Sequence, residues 1–238
     1  MERLGSVLGV ISLLFPEGCA TTTGERWVRP DLADEALRLG RVLAALLPNE
    51  GEVHGLVALM ELQRSRFAAR ERSTGEAVLL ADQDRTRWDH SQIARGIAAL
   101  QRADAAAAAR GIGRGSYALQ AGIAREHSIA VSVETTDWIE IVRLYSALEA
   151  IAPGPVVILN RAIAVSMADG PAAALILVDE LAATGALRGS PMIPSVRGEL
   201  LARLGRSGEA VEQFETAAAL TTAARQRDVL LAKAAAAR

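Results

Sequence analysis

The sequence of 238 residues is poor in cysteine, lysine and aromatic side chains. Cys19 is its single cysteine, which excludes an internal disulfide and a cysteine-rich metal site and favours a reducing, cytoplasmic location. Lys233 is its single lysine, so arginine supplies nearly all of the basic charge. Aromatic residues make up 3% of the chain, so a core has to be built from alanine, leucine, valine and isoleucine. That composition favours close-packed helices over sandwiches or barrels.

The chain also lacks a long apolar segment and an excess of charge of one sign. No run reaches the roughly 18 apolar residues that a membrane span needs, and the formal net charge is −2, which argues against a nucleic-acid binder. The apolar run 4–15 has the length of a weak secretory signal, but segment 16–19 places a proline and a glutamate where cleavage requires small residues. We therefore expect a first buried helix that ends at Pro16, in a cytoplasmic protein that binds neither membrane nor nucleic acid directly.

Helical periodicity runs through the chain and predicts an all-α fold. Apolar residues recur every three or four positions, and proline or glycine interrupts the pattern between segments. Asp89 is a predicted N-cap, with Gln92 completing a capping box and Trp88 packing on Ile93. After the first, the predicted helices cover residues 31–47, 51–72, 90–110, 116–133, 137–151, 156–168, 171–184, 192–204, 207–220 and 223–236.

The segments after Pro155 come in pairs at a regular spacing, which indicates helical repeats. In the last pair, small and aromatic residues have the spacing of a tetratricopeptide repeat, a helix–turn–helix unit: Gly198, Gly205, Ala210, Phe214 and Ala217. A shift of 36 residues places the preceding pair on Ala162, Asp169, Ala174, Val178 and Leu181. Because such units bury their faces only by stacking, we predict a tetratricopeptide-like array of antiparallel helix pairs, a right-handed α-solenoid.

The break at Pro153-Gly154-Pro155 divides this array in the sequence. Residues 1–152 are predicted to form an N-terminal half of longer, less regular helices. Residues 153–238 are predicted to form the repeat-like pairs, and we expect the two halves to make one continuous domain.

Residues that could carry chemistry are few and scattered. His54, His90 and His127 fall in three predicted helices, without the spacing of metal ligands. Segment 111–115 is as glycine-rich as a phosphate-binding loop, but it follows an alanine-rich helix and lacks the lysine that such loops use. The sequence therefore offers no catalytic argument, and we expect a protein that is not an enzyme and binds no metal or cofactor.

The polar segment 82–89 is the most unusual stretch, with three acids, two arginines and a tryptophan in eight residues. Its arginines could pair with the carboxylates of a partner, which makes it a candidate recognition loop. In the structural alternative, these groups pair with each other, cap neighbouring helices and insert the tryptophan into the core. The candidate partner-binding residues are Asp82, Asp84, Arg85, Arg87 and Trp88.

A second candidate site is the polar pair Asn160 and Arg161, which follows the apolar run 156–159. The pair falls on the first helix of a predicted repeat, near the positions that line the concave groove of such arrays. It would face either that groove or an internal polar network, and the sequence leaves both interpretations open.

Short motifs along nearly the whole chain occur in an order typical of a known family. The earlier ones are Phe15-Pro16-Glu17-Gly18, Asp31-Leu32, Leu47-Pro48 and Leu56-Val57-Ala58-Leu59-Met60. The later ones are Asp82-Gln83-Asp84-Arg85, Tyr117-Ala118-Leu119-Gln120-Ala121, Thr136-Asp137-Trp138, Leu159-Asn160-Arg161-Ala162 and Arg203-Leu204-Gly205-Arg206. In this order they resemble the C-terminal, tetratricopeptide-like extension of a group of bacterial extracytoplasmic-function RNA polymerase sigma factors.

The resemblance implies a regulatory role in transcription initiation. Members of that family begin with a domain that binds core polymerase and melts the −10 element, followed by a helix-turn-helix that reads the −35 element. Neither domain is recognisable here, so we expect both to be absent from this chain. The first motif also departs from the family, because Pro16 stands where the family usually has asparagine. The implied partners are RNA polymerase core or the promoter-binding sigma domains of the parent protein.

Two other functions stay open. The chain could be a stand-alone tetratricopeptide-like adaptor that binds a peptide or small ligand in its groove, through residues such as Asn160 and Arg161. It could also be an enzyme or a small-molecule sensor that uses the segment 82–89 and a pocket between the two halves.

Overall fold

The computed structural model of the protein describes residues 2–17, 30–71 and 78–238. Within these ranges the chain forms eleven α-helices and no β-sheet, which confirms the predicted all-α class. The helices are α1 (Glu2–Glu17), α2 (Pro30–Leu46), α3 (Gly51–Arg64), α4 (His90–Ala109), α5 (Ser116–Ile129), α6 (Trp138–Ile151), α7 (Pro155–Ala168), α8 (Pro171–Ala183), α9 (Met192–Arg203), α10 (Ser207–Leu220) and α11 (Ala224–Ala236). Three short 3₁₀ turns are Phe67–Ala69, Leu80–Asp82 and Arg85–Arg87.

Contacts divide the chain into two compact units, Met1–Asp137 and Trp138–Arg238. In the first unit, α3 packs against α1, α2, α4 and α5. In the second unit, consecutive helices from α6 to α11 pack against each other in sequence. The predicted break at residues 153–155 lies inside the second unit, between α6 and α7, which pack together.

Helix α3 ends earlier than its sequence pattern predicts, at Arg64 rather than near residue 72. The hydroxyl of Ser65 donates a hydrogen bond to the carbonyl of Leu62 at 2.7 Å, beside the last helical turn. A 3₁₀ turn follows and brings Phe67 into the core, where its ring centroid lies 6.0 Å from that of Phe15. The helix thus ends about two turns early, where the Ser65 hydroxyl competes for a backbone carbonyl and Phe67 turns into the core.

The central position of α3 depends on glycine at two helix crossings. Residues 53–62 of α3 are all buried, so its neighbours have to approach from several sides. A Cβ atom on Gly55 would lie 2.6 Å from the backbone nitrogen of Ala118 in α5. A Cβ atom on Gly96 of α4 would lie 2.7 Å from Cγ of Leu62. Both positions therefore set how closely α5 and α4 pack on α3.

The second unit confirms the helix contacts expected from the repeat-like spacing. A Cβ atom on Gly198 of α9 would lie 2.8 Å from the ring of Phe214 in α10, which is almost fully buried. Gly170 and Gly205 adopt φ values of +95° and +72° in the α7–α8 and α9–α10 connections, a backbone region that favours glycine. Six further predicted repeat positions are buried, whereas Asp169 is exposed; the buried ones are Ala162, Ala174, Val178, Leu181, Ala210 and Ala217.

We expect Gly198→Ala to lower the free energy of unfolding by about 1–3 kcal/mol, because the added methyl group overlaps the Phe214 ring. The matched control is Gly208→Ala in α10, where a Cβ atom meets open space and little change is expected. Urea denaturation followed by circular dichroism measures both variants. Combining Gly198→Ala with Phe214→Leu should cost less than the sum of the single changes, and equal stability of the two glycine variants would contradict the packing argument.

Candidate functional site

The polar segment 82–89 begins at the last residue of the 3₁₀ turn Leu80–Asp82, contains a second turn at Arg85–Arg87 and leads into α4. The carboxylate of Asp84 accepts hydrogen bonds from the backbone nitrogen and the hydroxyl of Thr86, at 3.0 and 2.6 Å. These bonds, with the nearby Arg87, lower the pKa of Asp84. Asp84 therefore caps the second turn and fixes the path of the loop.

Asp89 caps α4, as predicted. Its carboxylate accepts from the backbone nitrogen of Gln92 at 2.9 Å and from the hydroxyl of Ser91 at 2.6 Å. In a complete capping box the Gln92 side chain would accept a hydrogen bond from the backbone N–H of Asp89. Here that N–H donates instead to the carbonyl of Ser65, at 2.9 Å. That bond ties the start of α4 to the end of α3.

Arg85 joins the loop to the end of α5. Its Nη1 donates to the carbonyl oxygens of His127 and Ala130, at 2.8 and 2.6 Å. These bonds occupy carbonyls at the end of α5, which stops at Ile129 rather than at the predicted residue 133. The guanidinium also lies 5.0 Å from the ring centroid of Trp88, within the range of a cation–π contact.

Trp88 is 3% exposed and belongs to the core of the first unit together with Ile93. The structural alternative from the sequence, a tryptophan inserted into the core, is thus confirmed for this residue. Asp82, Asp84 and Arg87 are exposed. The loop therefore has anchoring side chains, Asp84 among them, and two charged side chains that face solvent without an anchoring role, Asp82 and Arg87.

Asn160 and Arg161 lie on α7, in the second unit, so the two candidate sites belong to different units. Arg161 Nε lies 2.7 Å from Oε2 of Glu149 on α6. Asn160 is partly exposed. Arg161 is partly exposed as well, so its pairing with Glu149 does not decide between the groove-facing and the internal interpretation, and both stay predictions.

The glycine-rich segment 111–115 leads into a helix N-terminus that another carboxylate of the chain occupies. Glu52 of α3 accepts from the backbone nitrogens of Tyr117 and Ala118, at 2.9 and 3.1 Å, and from the hydroxyl of Ser116 at 3.3 Å. A Cβ atom on Gly115 would overlap this carboxylate. Glu52 thus takes the position at the start of α5 where an anion would bind. No local pattern around Glu52 predicts this contact.

A second long-range carboxylate, Glu61 of α3, is 2% exposed and lies between two arginines. Arg41 of α2 donates to its Oε1 from Nε and Nη2, at 2.9 and 2.6 Å. Arg95 of α4 places Nε 3.6 Å from Oε2. A buried charge of this kind needs such partners, so the cluster fixes α2 and α4 on α3. Its position inside an apolar run is the sequence signal that could have revealed it.

Within the described ranges, no group of three or more histidine, cysteine, aspartate or glutamate side chains is arranged to bind a metal ion. His54 is buried, with Nε2 2.8 Å from the carbonyl oxygen of Pro48. Cys19 lies outside the described residues. In the same part of the chain, no helix has both the length and the apolar character needed to cross a membrane.

His127, whose backbone carbonyl accepts from Arg85, is a titratable group near the loop with a strongly shifted pKa. Burial, together with the positive charges of Arg66 and Arg85, lowers its pKa from 6.5 to about 4. The imidazole is therefore neutral at physiological pH and takes up a proton only with difficulty.

These side-chain clusters belong to an all-α protein built from consecutively packed helices. Residues 3–104 match a family described as "Family of unknown function (DUF6596)". An uncharacterized protein of Rhizobium meliloti (strain 1021) is 45% identical over 221 residues, which cover 93% of this chain and 51% of the relative. The chain therefore spans about half the length of that relative. No solved structure matches the chain significantly.

We expect Arg85→Ala to lower the free energy of unfolding by about 2 kcal/mol, because two carbonyl groups lose their donor and Trp88 loses its cation–π contact. Arg87→Ala, two positions along the same loop, is the matched control, and its exposed side chain should contribute at most about 0.5 kcal/mol. Urea denaturation measures both. Equal losses would show that Arg85 does not anchor the loop.

The free energy of unfolding should fall as the pH falls from 6.5 toward 4. In this window His127 binds a proton in the unfolded chain, whereas in the folded chain, where its pKa is about 4, it stays neutral. The contribution is fully present above pH 6.5. His127→Gln should flatten the dependence of unfolding free energy on pH, measured by urea titrations at several pH values. His90→Gln removes an exposed imidazole and is the control; an identical slope in wild type and His127→Gln would refute this prediction.

Proposed function

We propose that this chain is a non-catalytic, regulatory protein-interaction domain of an alternative, extracytoplasmic-function RNA polymerase sigma factor. It contacts RNA polymerase core or the promoter-binding sigma domains of the parent protein, in the cytoplasm, and tunes transcription initiation without binding nucleic acid itself. The order of the sequence motifs supports this assignment, because they extend from Phe15 to Arg206. The length of the Rhizobium meliloti relative also supports it, since about half of that protein lies outside the matched region and leaves room for further domains.

The geometry of the segment 82–89 is the observation that carries the proposal. Arg85 and Trp88 anchor the loop on α5 and in the core, and Asp84 caps its second turn. Asp82 and Arg87 extend into solvent from this anchored backbone. A loop ordered in advance loses little conformational entropy when a partner binds, so a few charged contacts can give useful affinity.

The finer architecture that goes with this function is a tetratricopeptide-like, right-handed array. The burial of most of the predicted repeat positions and the approach of Gly198 to Phe214 support it in the second unit. Arg203 of α9 adds a link between neighbouring pairs, because its Nη2 donates to the carbonyl of Ser166 in α7 at 2.9 Å. Arrays of this kind usually act as surfaces for protein partners.

The alternative function is a stand-alone adaptor that binds a peptide or small ligand in a groove of the second unit. One face of α7 favours it, since Val156, Ile163 and Met167 are exposed apolar side chains and Asn160 lies among them. An apolar stripe with one amide suits an extended peptide, whose backbone could pair with the amide.

The proposal predicts that the full chain binds RNA polymerase core or separately expressed promoter-binding sigma domains from the same organism. Arg87→Glu and Asp82→Arg should each weaken that binding about tenfold or more, because both reverse a charge at the contact. Biolayer interferometry at physiological salt measures the affinity. Arg102→Glu, an exposed arginine on α4, is the matched control.

A wild-type chain that binds neither RNA polymerase core nor the sigma domains would contradict the proposal. An equal loss with Arg102→Glu would assign any binding to general electrostatics rather than to the segment 82–89. Binding of a peptide that depends on Asn160, without any affinity for polymerase or sigma domains, would favour the adaptor.

A further inference from the structure

The glycine-rich segment 111–115 forms one side of a cavity of about 500 Å³. Parts of α1, α3, α4 and α5 form the other sides, and every lining residue belongs to the first unit. A volume of this size is in the range of pockets that bind small molecules. We call it the glycine-loop cavity, and its lining includes Leu8, Glu50, Glu52, Ala103, Ala106 and Arg110.

Part of the glycine-loop cavity is apolar, because α4 is rich in alanine where it lines the space. Leu8 of α1 and Ala103 of α4 are buried there, and Ala106 also lines the cavity. A Cβ atom on Gly113 would meet nothing within 4 Å, so the glycine-rich segment leaves the space open on its own side. The small side chains of α4 and the glycine together leave room for an apolar group of a ligand.

Among the described residues, four charged side chains line the cavity, and two of them are engaged within the protein. Glu52 accepts hydrogen bonds from the start of α5. Arg114 donates from Nε and Nη2 to the carboxylate of Asp104, at 2.7 and 2.8 Å. These bonds fix both side chains, so a polar ligand group has to be recognised by the other two.

Glu50 and Arg110 are the other two charged side chains. Arg110 Nη1 donates to Glu50 Oε2 at 2.9 Å, and the side chains are 39% and 43% exposed. Glu50 stands at the N-cap position of α3 but makes no capping hydrogen bond there. Because one bond joins the pair, most guanidinium N–H groups of Arg110 and one carboxylate oxygen of Glu50 are left to bind a ligand.

We infer that the glycine-loop cavity binds a free, apolar α-amino acid. The guanidinium of Arg110 binds the α-carboxylate, Glu50 accepts from the ammonium group, and the apolar side chain occupies the space lined by alanine. The charges of the lining sum to zero, so a ligand with one charge of each sign keeps the site neutral. An organic acid or an amine would satisfy one partner only and leave the site with a net charge.

The inference is independent of the proposed sigma-factor role, which depends on the segment 82–89. Isothermal titration calorimetry of the full chain with L-phenylalanine, phenylpropionate and phenethylamine tests it. These probes share the apolar group, whereas phenylpropionate lacks the ammonium group and phenethylamine lacks the carboxylate. L-phenylalanine should bind about tenfold or more tightly than either analogue, because each analogue leaves one polar partner unsatisfied.

Two substitutions assign the polar contacts. Arg110→Gln should weaken L-phenylalanine binding about tenfold or more, because the carboxylate loses its charged partner. Arg102→Gln, on the exposed side of α4 and outside the lining, is the matched control. Glu50→Gln should bind L-phenylalanine no more tightly than phenylpropionate, since the amide carries no charge to attract the ammonium group. That loss of discrimination would not follow from a merely structural role of Glu50.

A third substitution assigns the apolar part of the cavity. Ala106→Phe should abolish binding by filling the space, whereas Ala105→Phe, at an exposed neighbour outside the lining, should bind like the wild type. Circular dichroism and thermal melts check that every variant is folded. A wild type that binds no L-phenylalanine at millimolar concentration overturns the inference. So do equal affinities for the three probes, and binding that both Arg110→Gln and Ala106→Phe leave intact.

Discussion

The burial of α3 on nearly every side is the constraint on which the first unit depends. A helix in that position has to satisfy its polar side chains within the protein, because an unpaired buried group costs more than a hydrogen bond returns. Glu52, His54 and Glu61 meet this demand in three directions: toward the start of α5, toward the carbonyl of Pro48, and toward arginines of α2 and α4. Apolar packing alone would let neighbouring helices slide along α3, whereas these directional bonds fix their positions.

The same logic explains why the segment 82–89 combines core and surface residues. Asp84 caps the 3₁₀ turn Arg85–Arg87, and Asp89 caps α4. Arg85 satisfies carbonyls at the end of α5 and at the same time ends that helix. The loop is thus ordered by bonds to two other elements rather than by its own pairing. Asp82 and Arg87 make none of these anchoring bonds, and both are exposed.

The fold followed from the sequence more fully than the site did. Periodicity and caps identified the helices, and the repeat spacing anticipated the approach of Gly198 to Phe214, because both depend on residues close along the chain. Local sequence patterns could not predict the early end of α5, because the carbonyls at that end are bonded by Arg85, more than 40 residues earlier in the chain. Glu52 and the start of α5 are 64 to 66 residues apart, and nothing local signals their contact. Glu61 was not predicted either, although a lone acid beside an apolar run is a signal that could have indicated a buried partner.

Two kinds of exposed surface in the first unit respond differently to solution conditions. Contacts through Asp82 and Arg87 would be electrostatic and would weaken as salt screens them. Apolar side chains such as Val10 and Leu46 present an attraction that salt leaves intact or strengthens. The exposed charges lie on an anchored loop and the exposed apolar side chains on a helix pair, so the two surfaces belong to different elements of the first unit.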